Sequence, residues 1–245
     1  MTNEIINHML NHRSIRKFDS NFQIPDIHID TIIEAAQQAS TSSNMQMYTI
    51  VEVPKDLRMD ANLCGDQQFI KDASYFGIIF TDLHRIQRMI ELQGGELKEA
   101  TTITLTMGVF DAGLMSQNLV LAAESLGYGV CFCGACGDSL ISFKEKLNIP
   151  SSVIPITGIA IGKSLETPER KPRLPPKLIH HKGNYLQYSD EDLQAGMDHM
   201  SSELSRIHKK EINWGLNLKK RFTESWVERR EKIRRDALII QEFNL

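Results

Sequence analysis

Apolar residues recur at helical spacing near the start of the chain, where Ile5, Ile6, Met9 and Leu10 share one side of residues 3–11 and predict a short helix. Pro25-Asp26 opens a second helix running to about Gln38, with Ile29, Ile32, Ile33 and Ala36 inward. The hydroxyl-rich run Ala39-Ser40-Thr41-Ser42-Ser43-Asn44 breaks it. Met47–Val53 alternates weakly and is β-branched, and Tyr75–Thr81 is a continuous apolar run, so both read as strands. Between them Leu57–Leu63 reads as helix and Gly65–Gln68 as a turn; His84–Gln93 follows as helix and Gly94-Gly95 as a flexible link. Residues 101–126 are the longest apolar-rich stretch, and Leu105, Val109, Ala112, Leu114, Met115, Leu119 and Leu121 cover more than one face. A helix apolar nearly all round is buried in a core or between subunits.

Beyond the Gly127-Tyr128-Gly129 turn, Val130–Ala135 reads as a strand. Asp138 is placed to cap a helix through Leu147, and Val153–Ile161 reads as a strand interrupted by Pro155 and Gly158. Residues 163–188 form a long proline-rich loop, a kind of segment that is more often functional than idle. From Asp190 to about 242 the chain is helical and densely charged, with basic and acidic residues mixed. Helices at both ends and a few strands between them give an α+β layered domain.

At 245 residues the chain fits one large domain or two small ones, and 41% hydrophobic residues suffice for a real core. A net charge of -3 argues against a nucleic-acid binder. No run of 18 apolar residues appears and the N-terminal residues lack a secretion-signal pattern, so the expectation is a cytoplasmic protein without membrane partners. Of four cysteines, Cys131, Cys133 and Cys136 fall in Cys-Phe-Cys-Gly-Ala-Cys-Gly. Close thiolates suit zinc or iron–sulfur, but no second Cys/His pair stands at suitable spacing. Small buried thiols are the preferred reading, with Cys131 and Cys133 on one face of a strand and Cys136 in the turn beyond; redox sensitivity stays open.

The densest chemistry is His12-Arg13-Ser14-Ile15-Arg16-Lys17-Phe18-Asp19. Arg offers a planar fork, Lys a point charge and Ser a hydroxyl, the donors a phosphate wants. A second basic cluster, Arg170-Lys171-Pro172-Arg173-Leu174-Pro175, is stiffened by prolines. One cluster alone reads as a solvated basic face; two point to one anion bound from two sides, without naming it. No Gly-x-Gly-x-x-Gly after a strand, Walker A loop, His-Glu-x-x-His or Gly-x-Ser-x-Gly occurs. An enzyme built on this chain borrows its chemistry from a cofactor.

Taken in order, His12-Arg13-Ser14-Ile15-Arg16, the Ala39–Ser43 loop with Gln46 after it, Gly127-Tyr128-Gly129 and Lys171-Pro172-Arg173-Leu174-Pro175 resemble the FMN-dependent nitroreductase superfamily. The nearest subgroup is the oxygen-insensitive NADPH nitroreductases and flavin reductases of group A. The resemblance runs over about residues 2–190 and more loosely to 235. It implies an α+β nitroreductase-like fold with a central, mostly antiparallel sheet flanked by helices, in an intertwined homodimer. One FMN per subunit would lie at the interface, and residues 1–245 would form a single domain whose extension at 190–245 packs on the partner.

By the same resemblance His12, Arg13 and Ser14 hold the phosphate and ribityl end, and Lys171 and Arg173 close on the phosphate. Arg16 approaches the N1–C2=O edge, Thr41, Ser42 and Ser43 come from the opposite subunit, and Gln67 bonds the pyrimidine edge. Cys133, Gly134 and Ala135 line the ring. The implied activity is ping-pong hydride transfer from NADPH or NADH through FMN to nitroaromatics, quinones or free flavin. The chain departs from the family pattern at Asn44, Ala135 and Gly137, and it matches the NADPH-gripping arginines only loosely, with Arg206, Lys209 and Lys210. The alternatives are a flavin-binding protein with little turnover, or a thiol-based redox or metal sensor using Cys131, Cys133 and Cys136.

Overall fold

Every residue of Tyr75–Asp82 is buried, because this strand lies inside the sheet with packed layers on both faces. The computed structural model describes residues 3–60, 64–98, 100–223 and 225–243. They form two compact units, the first comprising residues up to Pro168 together with the chain from Lys232 onward, the second Glu169–Glu231.

In the first unit α1 (Glu4–Leu10) and α2 (Asp26–Gln37) precede β1 (Tyr48–Glu52). Then come α3 (Gln68–Asp72), β2 (Tyr75–Asp82), α4 (His84–Leu92) and α5 (Thr102–Ser125). β3 (Gly129–Cys133), α6 (Leu140–Phe143) and β4 (Val153–Gly162) complete the series. The sheet order is β1-β2-β4-β3 and every pairing is antiparallel. Alternation along β2 divides the core. Tyr75 and Ile79 face α2 and α5, packing with Ile32, Ala36, Met115 and Leu119. Phe76, Ile78 and Phe80 face the other way, onto Phe69, Ile70, Leu140, Phe143 and Ala237.

Several local expectations change on contact with this packing. β4 runs through Pro155 and Gly158 without interruption. A register shift between Ile79 and Phe80 accommodates the proline, which has no N–H to donate to the ladder. Gly158 is required because a β-carbon there would stand 2.6 Å from Cys136 Sγ and 2.7 Å from the Phe76 ring. Asp138 does not cap a helix; α6 is a single turn preceded by Ser139, and Asp138 bonds Arg234 instead. The helix expected over 57–63 is a 3-10 turn at Leu57–Met59, with residues 61–63 outside the described ones. The strand expected to reach Ala135 ends at Cys133 and tightens into a 3-10 turn, Gly134–Asp138. α5 is apolar round most of its circumference, as expected: Ala112, Met115 and Leu119 are buried, whereas Ile103, Val109 and Phe110 are exposed.

In the second unit Ser189 caps α7 (Asp190–His208) by accepting the Asp192 N–H at 3.1 Å. α8 (Trp214–Thr223) follows, and α9 (Ser225–Ile240) starts there. From Lys232 the chain belongs to the first unit, where buried Gln241 donates to Val153 O at 2.6 Å and accepts from Lys144 Nζ at 2.9 Å.

Candidate functional site

The basic segment at 12–19 is fastened to the sheet rather than left as a solvated loop. Ser14 bridges Val130, and the Ile15 N–H donates to Val130 O at 2.8 Å, so the segment docks at the start of β3. Gly129 makes this close approach possible; a β-carbon there would stand 2.8 Å from Ile15. The Arg16 and Lys17 N–H groups both donate to Glu166 Oε1, at 2.6 and 3.1 Å, and buried Phe18 bridges Ser164. Backbone and apolar side chains are thereby committed to the scaffold. The side chains of Arg16 and Lys17 remain exposed.

His12 Nδ1 lies 2.7 Å from Glu124 Oε1 at the end of α5. Glu124 Oε2 and Arg13 Nε are buried atoms with no hydrogen-bond partner among the described residues. Orphaned polar atoms of this kind mark a place where a further polar group belongs. Arg13, Glu124, Tyr128, Gly129 and Glu166 help to line a cavity of about 540 Å³.

The other end of β3 carries the second cluster. Cys131 and Cys133 are buried on one face while Phe132 is exposed on the opposite one, as the alternation requires. Gly134 is exposed, and a β-carbon built on it would meet nothing within 4 Å among the described residues. Ala135 turns its methyl toward Gly65, whose own β-carbon would be 3.5 Å from it. Burial raises the thiol pKa of both Cys131 and Cys133; the nearby Arg16 charge partly offsets this for Cys131, and backbone N–H groups and Gln67 partly offset it for Cys133. Gln67 Nε2 donates to Cys64 O at 3.0 Å and to Cys133 Sγ at 2.9 Å.

The cysteine expectation needs correction. Cys136 is not a free buried thiol; it forms a disulfide with Cys64, 72 residues away. Cys131 and Cys133 are the free pair. No group of three or more His, Cys, Asp or Glu residues set to hold a metal occurs among the described residues, and no helix there is long and apolar enough to cross a membrane.

The hydroxyl loop takes a contorted path: Thr41 is extended, and Ser43, Asn44 and Gln46 have φ of 50, 56 and 53°. Asp111, fully buried within α5, anchors it by accepting the Ser42 N–H at 2.7 Å and the Met47 N–H at 3.1 Å. Asp111, Glu124 and Glu166 are the supporting residues that the sequence reading missed. Only Asp111 carried a signal, as an isolated acid amid Val109, Phe110 and Ala112.

In the second unit Lys171 Nζ lies 2.7 Å from His208 Nε2, and Arg173 Nη1 donates back to Lys171 O and Pro172 O at 3.2 and 3.1 Å. Arg206 pairs with Glu169 at 2.7 Å and Glu203 at 3.0 Å, Glu169 contributing most to raising its pKa. Lys209 ends α7 in a left-handed conformation, and the Lys210 N–H donates to Ser205 O.

The sequence model of the nitroreductase family matches residues 9–163. The chain is 34% identical over 215 residues to an FMN reductase (NADPH) of Bacillus subtilis, covering 86% of each protein. It is likewise 34% identical over 195 residues to an NADPH-flavin oxidoreductase of Vibrio harveyi, covering 79% of each. The solved structure of B. megaterium NfrA2 superposes with a TM-score of 0.92 at 28% identity, covering 100% of this chain and 99% of that one.

Proposed function

The chain belongs to the nitroreductase family, and from that membership we propose that it is an FMN-dependent NAD(P)H oxidoreductase working by a ping-pong scheme. When bound, FMN supplies the redox chemistry, taking a hydride from NADPH or NADH and passing it to a nitroaromatic, a quinone or free flavin.

One observation carries the assignment. The two clusters given to the cofactor sit at opposite ends of β3, His12–Arg16 at its start and Cys133–Ala135 at its end. Four residue steps of strand separate them by about 13 Å, room for a ribityl chain between phosphate and ring. Arg13, with its orphaned Nε, and Ser14 hold the phosphate end, and His12 is oriented for the same end by Glu124. Gly134 leaves the flat ring its space, and Cys133 and Ala135 border it. Arg16 would supply a cation for the N1–C2=O edge, where negative charge would build on reduction. Gln67 meets the pyrimidine edge, and Asp111 keeps Thr41, Ser42 and Ser43 in the shape presented to the partner subunit.

Lys171 and Arg173 retain their phosphate role on the resemblance. Arg206, Lys209 and Lys210 are assigned to the NADPH phosphate on the same ground, although the two carboxylates on Arg206 already balance much of its charge. Homodimerisation is part of the proposal, supported by the exposed apolar residues Ile103, Val109 and Phe110 on α5 and Ile5, Ile6, Met9 and Leu10 on α1. So is a cytoplasmic location.

The test is the visible spectrum of the purified protein before and after anaerobic NADPH. Flavin absorption that bleaches on addition and returns with a quinone is the expected result. A colourless protein that takes up no FMN refutes the assignment.

A further inference from the structure

The flavin reading gives a place to Cys133 alone, yet three of the four cysteines meet beside the proposed ring site. Cys64 and Cys136, both fully buried, are joined with Cα atoms 4.4 Å apart. Their disulfide ties the segment 64–67 to the Gly134–Asp138 turn. That segment is strained: Cys64, Gly65 and Asp66 have φ of 52, 81 and 50° in succession. Non-glycine residues persist in this region only where the surroundings hold them.

Gln67 comes next, and the cysteine cluster sets its rotamer. Its amide nitrogen is engaged twice, by the carbonyl of Cys64 and the sulfur of Cys133. A backbone carbonyl only accepts, so the nitrogen must face inward and Oε1 outward. Oε1 is thereby turned away from both groups and is oriented as an acceptor for an incoming N–H.

We propose that Cys64–Cys136 is a reducible staple, and that Cys64, Cys133 and Cys136 are positioning residues that hold Gln67 with Oε1 presented to the imide N–H of the flavin. The identity of that N–H rests on the flavin reading above. Opening the staple requires a dithiol. One of its thiolates attacks a sulfur of the pair, forming a mixed disulfide and releasing the other cysteine as a thiolate, which takes up a proton. The second thiol of the reductant then displaces the remaining cysteine. The reductant leaves as its own disulfide, oxidised by two electrons, and Cys64 and Cys136 gain those electrons with two protons. Both residues are buried, so attack proceeds through local opening of the 64–67 segment. With the staple open, the carbonyl of Cys64 is no longer fixed and Gln67 loses its preset orientation. The sensor alternative built on Cys131, Cys133 and Cys136 gives way to the pair Cys64–Cys136, with Cys133 as its neighbour and Cys131 outside it.

The holoprotein tests this directly. Thiols are counted after unfolding without reductant and again after dithiothreitol, and FMN retention is measured by ultrafiltration in both states. Two thiols, then four, are expected. Retention weakens about tenfold on reduction, the scale of one hydrogen bond. Cys64→Ser starts at the weakened value and ignores dithiothreitol, while Cys131→Ser behaves as the parent. Gln67→Leu separates positioning from general loosening: it also starts weak, and reduction weakens it no further. Four thiols before reductant, equal retention in both states of the parent, or a full reduction effect in Gln67→Leu each overturn the proposal. Protein that holds no FMN in either state overturns the flavin reading and with it the role of Gln67; the thiol count on that same sample reports on the disulfide separately.

Discussion

The guanidinium of Arg234 fills the space that a β-carbon on Gly137 would need, and its Nε donates to Asp138 Oδ1 at 3.0 Å. A residue near the chain end thus seals the turn that borders the proposed ring site. Gly137→Ala should collide with Arg234 and approach Ile156 O at 3.1 Å, destabilising the fold by about 1–3 kcal/mol in urea unfolding. In an Arg234→Ala background the main collision is gone and the cost should fall well below that. An equal cost in both backgrounds would show that Arg234 is not the group occupying the space.

Asp111 is the only fully buried carboxylate among the described residues, and its two oxygens receive two backbone N–H groups of the hydroxyl loop. Asp111→Ala leaves both donors without acceptors. At roughly 1–3 kcal/mol for each unsatisfied buried group, a total loss of about 2–6 kcal/mol is expected. Asn retains one acceptor oxygen, so Asp111→Asn should cost less, and FMN retention should follow the same order. A thermal midpoint unchanged in Asp111→Ala would contradict the anchoring role.

Tyr75 gives the protein an alkaline limit. Burial pushes its hydroxyl well above the ordinary tyrosine value of 10.0; Glu52 adds to the shift and Arg58 opposes it. The native state therefore keeps a proton that the unfolded chain releases near pH 10, so the unfolded state binds fewer protons and stability falls as pH rises further. Below that range this residue contributes no slope. Above it the loss approaches about 1.4 kcal/mol per pH unit for each such tyrosine, and burial shifts Tyr48 in the same direction. Tyr75→Phe should flatten urea midpoints between about pH 10 and pH 12. A slope identical to the parent would remove Tyr75 as the cause.

Elements that announce themselves through local periodicity were legible: α2, α5, β1 and β2 lie within a residue or two of their expected bounds. What escaped depends on partners far along the chain. Cys64 meets Cys136 because the fold lays the 64–67 segment against the turn after β3, and no spacing rule encodes that contact. Asp138 looked like a cap until Arg234, 96 residues later, took its carboxylate. Pro155 and Gly158 read as breaks because local propensity is blind to a bulge in the facing strand and to a ring that needs the missing β-carbon. The anion-binding role proposed for the basic cluster rests on the chemistry of its side chains. Its division into phosphate and ring roles came from the family resemblance, and its pinning to β3 came from the fold.

That pinning sharpens the test of Arg16. Its N–H is held by Glu166 at 2.6 Å while its side chain is exposed, so Arg16→Ala removes the charge and leaves the anchor intact. A fixed cation at the N1–C2=O edge helps most when negative charge has formed there, and little before. Arg16→Ala should therefore lower FMN retention only a few-fold while slowing anaerobic bleaching by NADPH about 100-fold, the scale seen when one preorganised donor is lost. Arg16→Lys, which restores a point charge without the planar fork, should recover part of the rate and most of the retention. Stopped-flow bleaching and ultrafiltration on the same preparations separate the two effects. If rate and retention fall by the same factor in Arg16→Ala, the residue binds FMN equally in both oxidation states, and its charge does not favour the reduced one.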